Sequence, residues 1–142
     1  MATLERAIAI AAEAHRGQTD KAGEPYILHP MRVMLRVWGD TERTVAILHD
    51  VVEDGAPAWS LERLREEGFG AEVVEAVDRL TKRDGEPYEA LVERAAGDPI
   101  ARRVKLADLE DNISLTRIAD PGEKDRERIE RYRRAYTRLS SL

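Results

Sequence analysis

The chain holds three histidines, His15, His29 and His49, in three different settings. His49 is followed at once by Asp50, inside the apolar run Val45-Ala46-Ile47-Leu48-His49-Asp50-Val51-Val52. Two polar side chains in such a run are costly to bury without partners, and a metal ion is one partner that satisfies both. Neighbouring helical residues point about 100° apart, so the pair converges only on an ion lying along the helix edge. Glu53 and Asp54 follow at i+4 from His49 and Asp50 and share their faces. An exposed helix end with ordinary charges would look similar, but Val51 and Val52 interrupt a polar face. His29 precedes Pro30, at a loop-to-helix junction where a side chain can enter a cleft. His15 lies on the apolar stripe of its helix and reads as a packing histidine with one satisfied hydrogen bond.

A further acid sits in Val104-Lys105-Leu106-Ala107-Asp108, followed by Asp111-Asn112. Asp108 shares a face with Asn112, the single asparagine of the chain, and Lys105 lies three residues before it. Alone, this pattern fits a buried aspartate paired with lysine. Beside His29 and His49-Asp50, it supplies another oxygen ligand from a distant helix. His29, His49, Asp50 and Asp108 together make a set of two imidazoles and two carboxylates. Such mixed N/O ligation suits Mn²⁺, Fe²⁺ or another divalent first-row ion, and it lacks the sulfur typical of structural zinc. Open positions on that ion would take water and a phosphate oxygen, and the ion would lower the pKa of the water. Glu53 and Asp54 are placed to orient or deprotonate it. The reaction class that follows is phosphoester or diphosphate hydrolysis.

The elements carrying these residues read as helices. Leu4, Ala7, Ile8, Ala11 and Ala14 form one face over residues 4–16, closed by Gly17. A polar connection spans 17–28. Pro30 suits the first turn of a second helix that runs to about Trp38. After Gly39, Asp40 or Thr41 caps a third helix to about Asp54. Ser60 caps a short helix at 61–67, another runs from 71 to 80, and residues 81–87 form a loop. Asp98-Pro99 and Asp120-Pro121-Gly122-Glu123 open helices at about 99–116 and 121–138, the second with a capping box. No segment alternates like a strand between hairpin turns. The expectation is an all-α bundle of seven or eight short helices, one domain over 1–142.

Composition bounds the function. The 142 residues are 42% apolar and 36% charged, a globular balance with enough apolar mass for one core. Cysteine is absent, which removes disulfides, thiolate metal sites and a cysteine nucleophile. The net charge of −5 argues against a nucleic-acid binder. No apolar run reaches the ~18 residues of a membrane span, and no secretion signal opens the chain, so the cytoplasm is the expected compartment. Residues 121–142 are basic, as a solvated helix face would be.

Ala14-His15-Arg16-Gly17-Gln18, Gly23-Glu24-Pro25-Tyr26-Ile27-Leu28-His29-Pro30, Leu48-His49-Asp50-Val51-Val52-Glu53-Asp54 and Val104-Lys105-Leu106-Ala107-Asp108 stand in that order. Together they resemble the HD-domain metal-dependent phosphohydrolases, specifically the hydrolase domain of the RelA/SpoT type. The resemblance covers most of residues 1–118. It implies an HD-domain fold and a manganese enzyme that removes pyrophosphate from the 3′ position of ppGpp-like nucleotides. By motif position, His29, His49, Asp50 and Asp108 would bind Mn²⁺. Glu53 and Asp54 would handle the attacking water, Lys21 would pack on the base, and Asn112 would lie near the ribose. The partner is then a small nucleotide, with neither nucleic acid nor membrane.

The chain departs from that pattern in its charges. Asp20 stands before Lys21 where the family often has a second basic residue. Acids outnumber cations in Lys82-Arg83-Asp84-Gly85-Glu86-Pro87-Tyr88-Glu89, and Leu109-Glu110-Asp111 follows Asp108. Asp20, Glu110 and Asp111 near the pocket are expected to repel a highly charged nucleotide, each close like-charge pair costing ~1 kcal/mol or more. Two other readings stay open: hydrolysis of a different nucleotide or phosphoester, and a non-catalytic metal- or nucleotide-binding sensor that docks through its basic C-terminal helix.

Overall fold

The computed structural model describes residues 2–114 and 119–142. The elements in chain order are α1 (Leu4–Ala14), α2 (Leu28–Leu35), α3 (Asp40–Leu48), α4 (Val51–Asp54), α5 (Leu61–Glu66), α6 (Ala71–Leu80), α7 (Tyr88–Ala96), α8 (Pro99–Ile113) and α9 (Glu123–Ser140). Among the described residues there is no strand, only an isolated bridge from Thr19 to Pro25 that pins the α1–α2 loop. The all-α expectation holds. The helix expected to run on to Asp54 is instead two pieces, α3 and α4, broken at His49-Asp50. Counted as one rod, these leave eight.

Local chemistry explains several of the helix starts. Thr3 accepts from the Arg6 N–H at 3.1 Å and opens α1, and Ser60 accepts from the Arg63 N–H to open α5. Asp98 accepts from the Ile100 N–H at 2.8 Å with Pro99 at the first helical position, as the sequence indicates. The expected end of that helix at 115–116 lies outside the described residues. Gly17 turns the chain after α1 with φ 81°, a conformation that favours glycine. Three starts or ends differ from expectation: α3 takes in Asp40 and Thr41, expected as its caps, because Gly39 is the N-cap and no side chain caps it. The second helix stops at Leu35 and leaves Trp38 exposed. The last begins at Glu123, because Gly122 is the N-cap and Asp125 Oδ2 accepts its N–H at 3.0 Å. The acid three residues on from Gly122 displaces the Asp120/Glu123 pair that the sequence favoured.

Two apolar clusters hold the bundle. The larger gathers α1, α2, α3 and α6 around Ile10, Val33, Ile47, Leu48 and Val77, with Ala101, Val104 and Ala107 of α8. The smaller joins Val92 of α7, Leu109 of α8, and Ala135 and Leu139 of α9. α8 is therefore buried on two flanks, which blurs its amphipathic stripe. It presents Asp108 at the junction between the clusters. Leu109 is fully buried in the smaller cluster. Leu109→Ala is expected to lower unfolding free energy by about 2–5 kcal/mol, measured by urea denaturation.

Candidate active site

The break between α3 and α4 builds the centre of the site. Asp50 takes φ −108° and ψ 1°, outside helical geometry, so its side chain and that of His49 are released from the 100° divergence of helical neighbours. His49 Nδ1 donates to the Ala46 carbonyl at 2.6 Å, which fixes the ring and leaves Nε2 facing inward. His29, in the first turn of α2, comes from the other side, its ring 5.5 Å from that of His49. Ligand atoms of His29, His49 and Asp50 all lie within 4.8 Å of one another. Asp108 Oδ1 closes the group, 2.8 Å from His29 Nε2 and 3.3 Å from His49 Nε2.

This donor set fits a divalent cation. His49 Nε2 is buried and has no hydrogen-bond partner among the described residues. Yet it lies 3.1 Å from an Asp50 oxygen and 3.3 Å from an Asp108 oxygen. With Nδ1 donating, the neutral ring aims its Nε2 lone pair at two carboxylates, an arrangement that calls for positive charge between them. Burial by itself would lower the His49 pKa, but Asp50 and Asp108 outweigh it and hold it well above the ordinary value. His29 is raised in the same way, burial being overcome by Asp108 and Asp111. Asp108 is held well below its usual range, because Lys105 and the two imidazoles outweigh its burial. The cluster favours a cation, and a proton and a metal ion compete for the place.

Three supporting residues were not visible as such in the sequence. Asp111 is fully buried, and its Oδ2 lies 2.6 Å from His29 Nδ1. Arg32 holds the same carboxylate through Nε and Nη2, at 2.7 and 3.1 Å. A carboxylate behind a ligating imidazole fixes its tautomer and raises its basicity. The available signal was the pairing of spacings, His29/Arg32 on one helix and Asp108/Asp111 on another, each i, i+3. Tyr26 donates its hydroxyl to Asp50 Oδ2 at 2.5 Å. Lys105 Nζ donates to Asp108 Oδ2, and Asn112 Nδ2 to Asp108 Oδ1, at 2.9 and 3.1 Å.

Two adjoining cavities open on the cluster. The inner one, about 430 Å³, is floored by His29, His49, Asp50 and Asp108 and walled by Glu53. The outer one, about 550 Å³, takes Lys21, Arg32 and Arg128. Tyr26, His29, Asn112 and Tyr132 line both. The structure thus brings Glu53, Lys21 and Asn112 to the cavities. Asp54 is not among their walls; its carboxylate lies 3.7 Å from His15 Nδ1. Burial first, then the charges of Asp50 and Glu53, push its pKa up to about 6. His15 is buried, its Nδ1 2.9 Å from Gln18 Oε1.

The expected repulsion is mostly absent. Asp111 is neutralised by Arg32 and turned to His29. Glu110 pairs with Arg36 at 3.2 Å and lines a separate groove beside Trp38. Asp20 does line the outer cavity, with one oxygen accepting the N–H groups of Ala22 and Glu24. The basic C-terminal helix is more than a solvated face, since Arg128, Arg131 and Tyr132 reach the cavities.

Fold and cluster together define a helical domain built to hold a divalent ion beneath a polar cleft. The family model described as HD domain matches residues 7–135, and the chain belongs to that family. It is 34% identical over 139 residues to a probable GTP pyrophosphokinase of Mycobacterium leprae, covering 89% of this chain and 17% of that protein. It is 35% identical over 122 residues to a guanosine-3′,5′-bis(diphosphate) 3′-pyrophosphohydrolase of Aquifex aeolicus, covering 78% and 17%. The chain thus spans about a sixth of the length of these relatives. A solved structure described as a metazoan ortholog of SpoT that hydrolyses ppGpp shares the fold. Its TM-score is 0.80 at 24% identity, over 98% of this chain and 85% of that one. No helix among the described residues is long and apolar enough to cross a membrane.

Asp111→Asn is expected to weaken divalent-cation binding roughly 10–100-fold, measured by isothermal titration calorimetry. In metal-free protein, the raised Asp54 pKa means the folded state holds a proton that the unfolded state has released. Stability should therefore fall as pH rises from about 4 to about 6. Asp54→Asn should remove that fall in urea titrations across the window.

Proposed function

We propose that this chain is a metal-dependent phosphohydrolase that removes the 3′-pyrophosphate of ppGpp or a closely related nucleotide. One observation carries the reading. The inward-facing, unpartnered Nε2 of His49 stands among His29, Asp50 and Asp108 at the floor of a cavity that also holds an acid, Glu53. The names of the Aquifex relative and of the metazoan structure support the substrate class.

His29, His49, Asp50 and Asp108 would hold the ion, which we assign as Mn²⁺. Bound there, it supplies Lewis acidity toward a phosphate oxygen and a lowered pKa for water. Glu53 takes the proton of the attacking water from the cavity wall, while Asp54 acts behind it from the His15 side. The water oxygen forms a bond to the inner phosphorus of the 3′ group, and the bond from that phosphorus to the 3′ oxygen breaks. The 3′ oxygen takes up a proton, and pyrophosphate departs. Lys21 and Asn112, both in the wall of the outer cavity, receive the base and ribose. Tyr26 and Asp111 keep Asp50 and His29 aimed. α8 belongs to both apolar clusters, which supports residues 1–142 working as one domain. A nucleotide substrate implies the cytoplasm.

The test is a hydrolysis panel with Mn²⁺: ppGpp, pppGpp, the adenine analogue, NADPH and simple nucleoside phosphates. Pyrophosphate release from ppGpp is expected. Asp108→Ala should reduce it by more than the roughly 10–100-fold of an outer-shell loss. Turnover of another nucleotide with ppGpp untouched would overturn the substrate, and Asp20 in the outer cavity would be the residue to examine.

A further inference from the structure

Three cations line the inner cavity, and they are not equivalent: Lys82, Lys105 and Arg131. Lys105 is buried and committed to Asp108. Lys82 lies at the exposed mouth, where its backbone N–H reaches Glu53 Oε1 at 3.2 Å. Arg131 of α9 has no carboxylate partner among the described residues. Its guanidinium stands 5.0 Å from the centre of the Tyr88 ring and 5.8 Å from that of Tyr132. Two aromatic faces hold a flat cation in place without neutralising it.

The neighbouring arginines are engaged elsewhere. Arg83 is tied to Asp78 and to two backbone carbonyls. Arg94 is tied to Glu86 and to the Thr81 carbonyl. Arg128 pairs with Asp125, and Arg138 with Glu93. The loop over 81–87 therefore offers no free guanidinium to the cavity. A second observation points to the same wall. The buried Tyr88 hydroxyl has no hydrogen-bond acceptor among the described residues. Of the polar groups acting on it, only Lys105 comes within hydrogen-bonding reach, and Lys105 is itself a donor, so the phenol proton lacks an acceptor.

We infer that Arg131 and Tyr88 form the seat for the outer phosphate of the diphosphate that leaves the substrate. This rests on the phosphohydrolase reading above. A free guanidinium fits phosphate oxygens through paired N–H donors, and a phenol without an acceptor adds one more donor. The metal ligands and this seat are walls of one cavity, so a diphosphate engages both ends where a monophosphate engages one. Arg131 is then the residue that selects a diphosphate over a monophosphate at the cleaved position.

The test uses the full chain with Mn²⁺ and radiolabelled pyrophosphate or orthophosphate in equilibrium dialysis. Arg131→Ala should weaken pyrophosphate binding roughly ten- to a hundredfold, with orthophosphate and Mn²⁺ binding little changed. Arg131→Lys should recover part of the loss, and Tyr88→Phe, which removes only the hydroxyl, should show a smaller loss. Arg126→Ala, an equal change of charge elsewhere on α9, should leave pyrophosphate binding intact. Undiminished pyrophosphate binding in Arg131→Ala, an equal loss for orthophosphate, or no pyrophosphate binding by the wild-type chain would overturn the inference. Arg131-dependent pyrophosphate binding in a protein that leaves ppGpp intact would instead overturn the nucleotide assignment and keep the seat.

Discussion

Buried negative charge must be answered by positive charge, and α8 carries two such charges one turn apart, Asp108 and Asp111. The rest of the site follows from how each is met. Asp111 is met by Arg32 and by the Nδ1 edge of His29. Asp108 is met by Lys105 on one oxygen and by imidazole nitrogens on the other. The two answers share His29, so the imidazole is gripped on both edges and cannot rotate without uncovering a carboxylate. That constraint fixes α2 against α8. It also leaves His49 and Asp50 to complete the group from the break after α3.

Polar residues stranded in apolar runs were the legible part. His49-Asp50 and Asp108 stand out because burying them unpartnered is costly, and His29 because it borders a proline-marked helix start. Helix starts at Ser60 and Asp98 were equally plain, since their side chains cap locally and need no distant partner. The break at His49-Asp50 was not legible, because neither glycine nor proline marks it; what holds it open is tertiary. The role of Asp111 was misread for a related reason. A sequence gives the sign of a charge but not its partner, and Arg32 lies 79 residues away. Among the many arginines of the last helix, only its rotation against α7 and α8 decides that Arg131 meets the cavity while Arg138 meets Glu93.

The charge pattern also looks different in three dimensions. An acidic chain with a basic C-terminal helix suggests opposed surfaces. Instead, most of the described arginines near the cleft are paired, and of the acids that seemed hostile to a phosphate substrate, Glu110 is turned away and Asp111 is neutralised, while Asp20 stays at the outer cavity. What remains facing the cavities is a small mixed set: Glu53 and Asp20 against Lys21, Lys82 and Arg131. A cleft of this kind recognises anions by placed groups rather than by a broad positive field.

The division of the apolar interior into two clusters has a consequence for how such a protein diverges. Helices of the larger cluster carry His29, His49 and, through the chain break, Asp50. The smaller cluster seats α9, which supplies Arg128, Arg131 and Tyr132 to the cavity walls. α8 is the partition between them. Substitutions along α9 can therefore alter what is gripped while the ion-holding side keeps its shape, and changes in the larger cluster put the chemistry itself at risk.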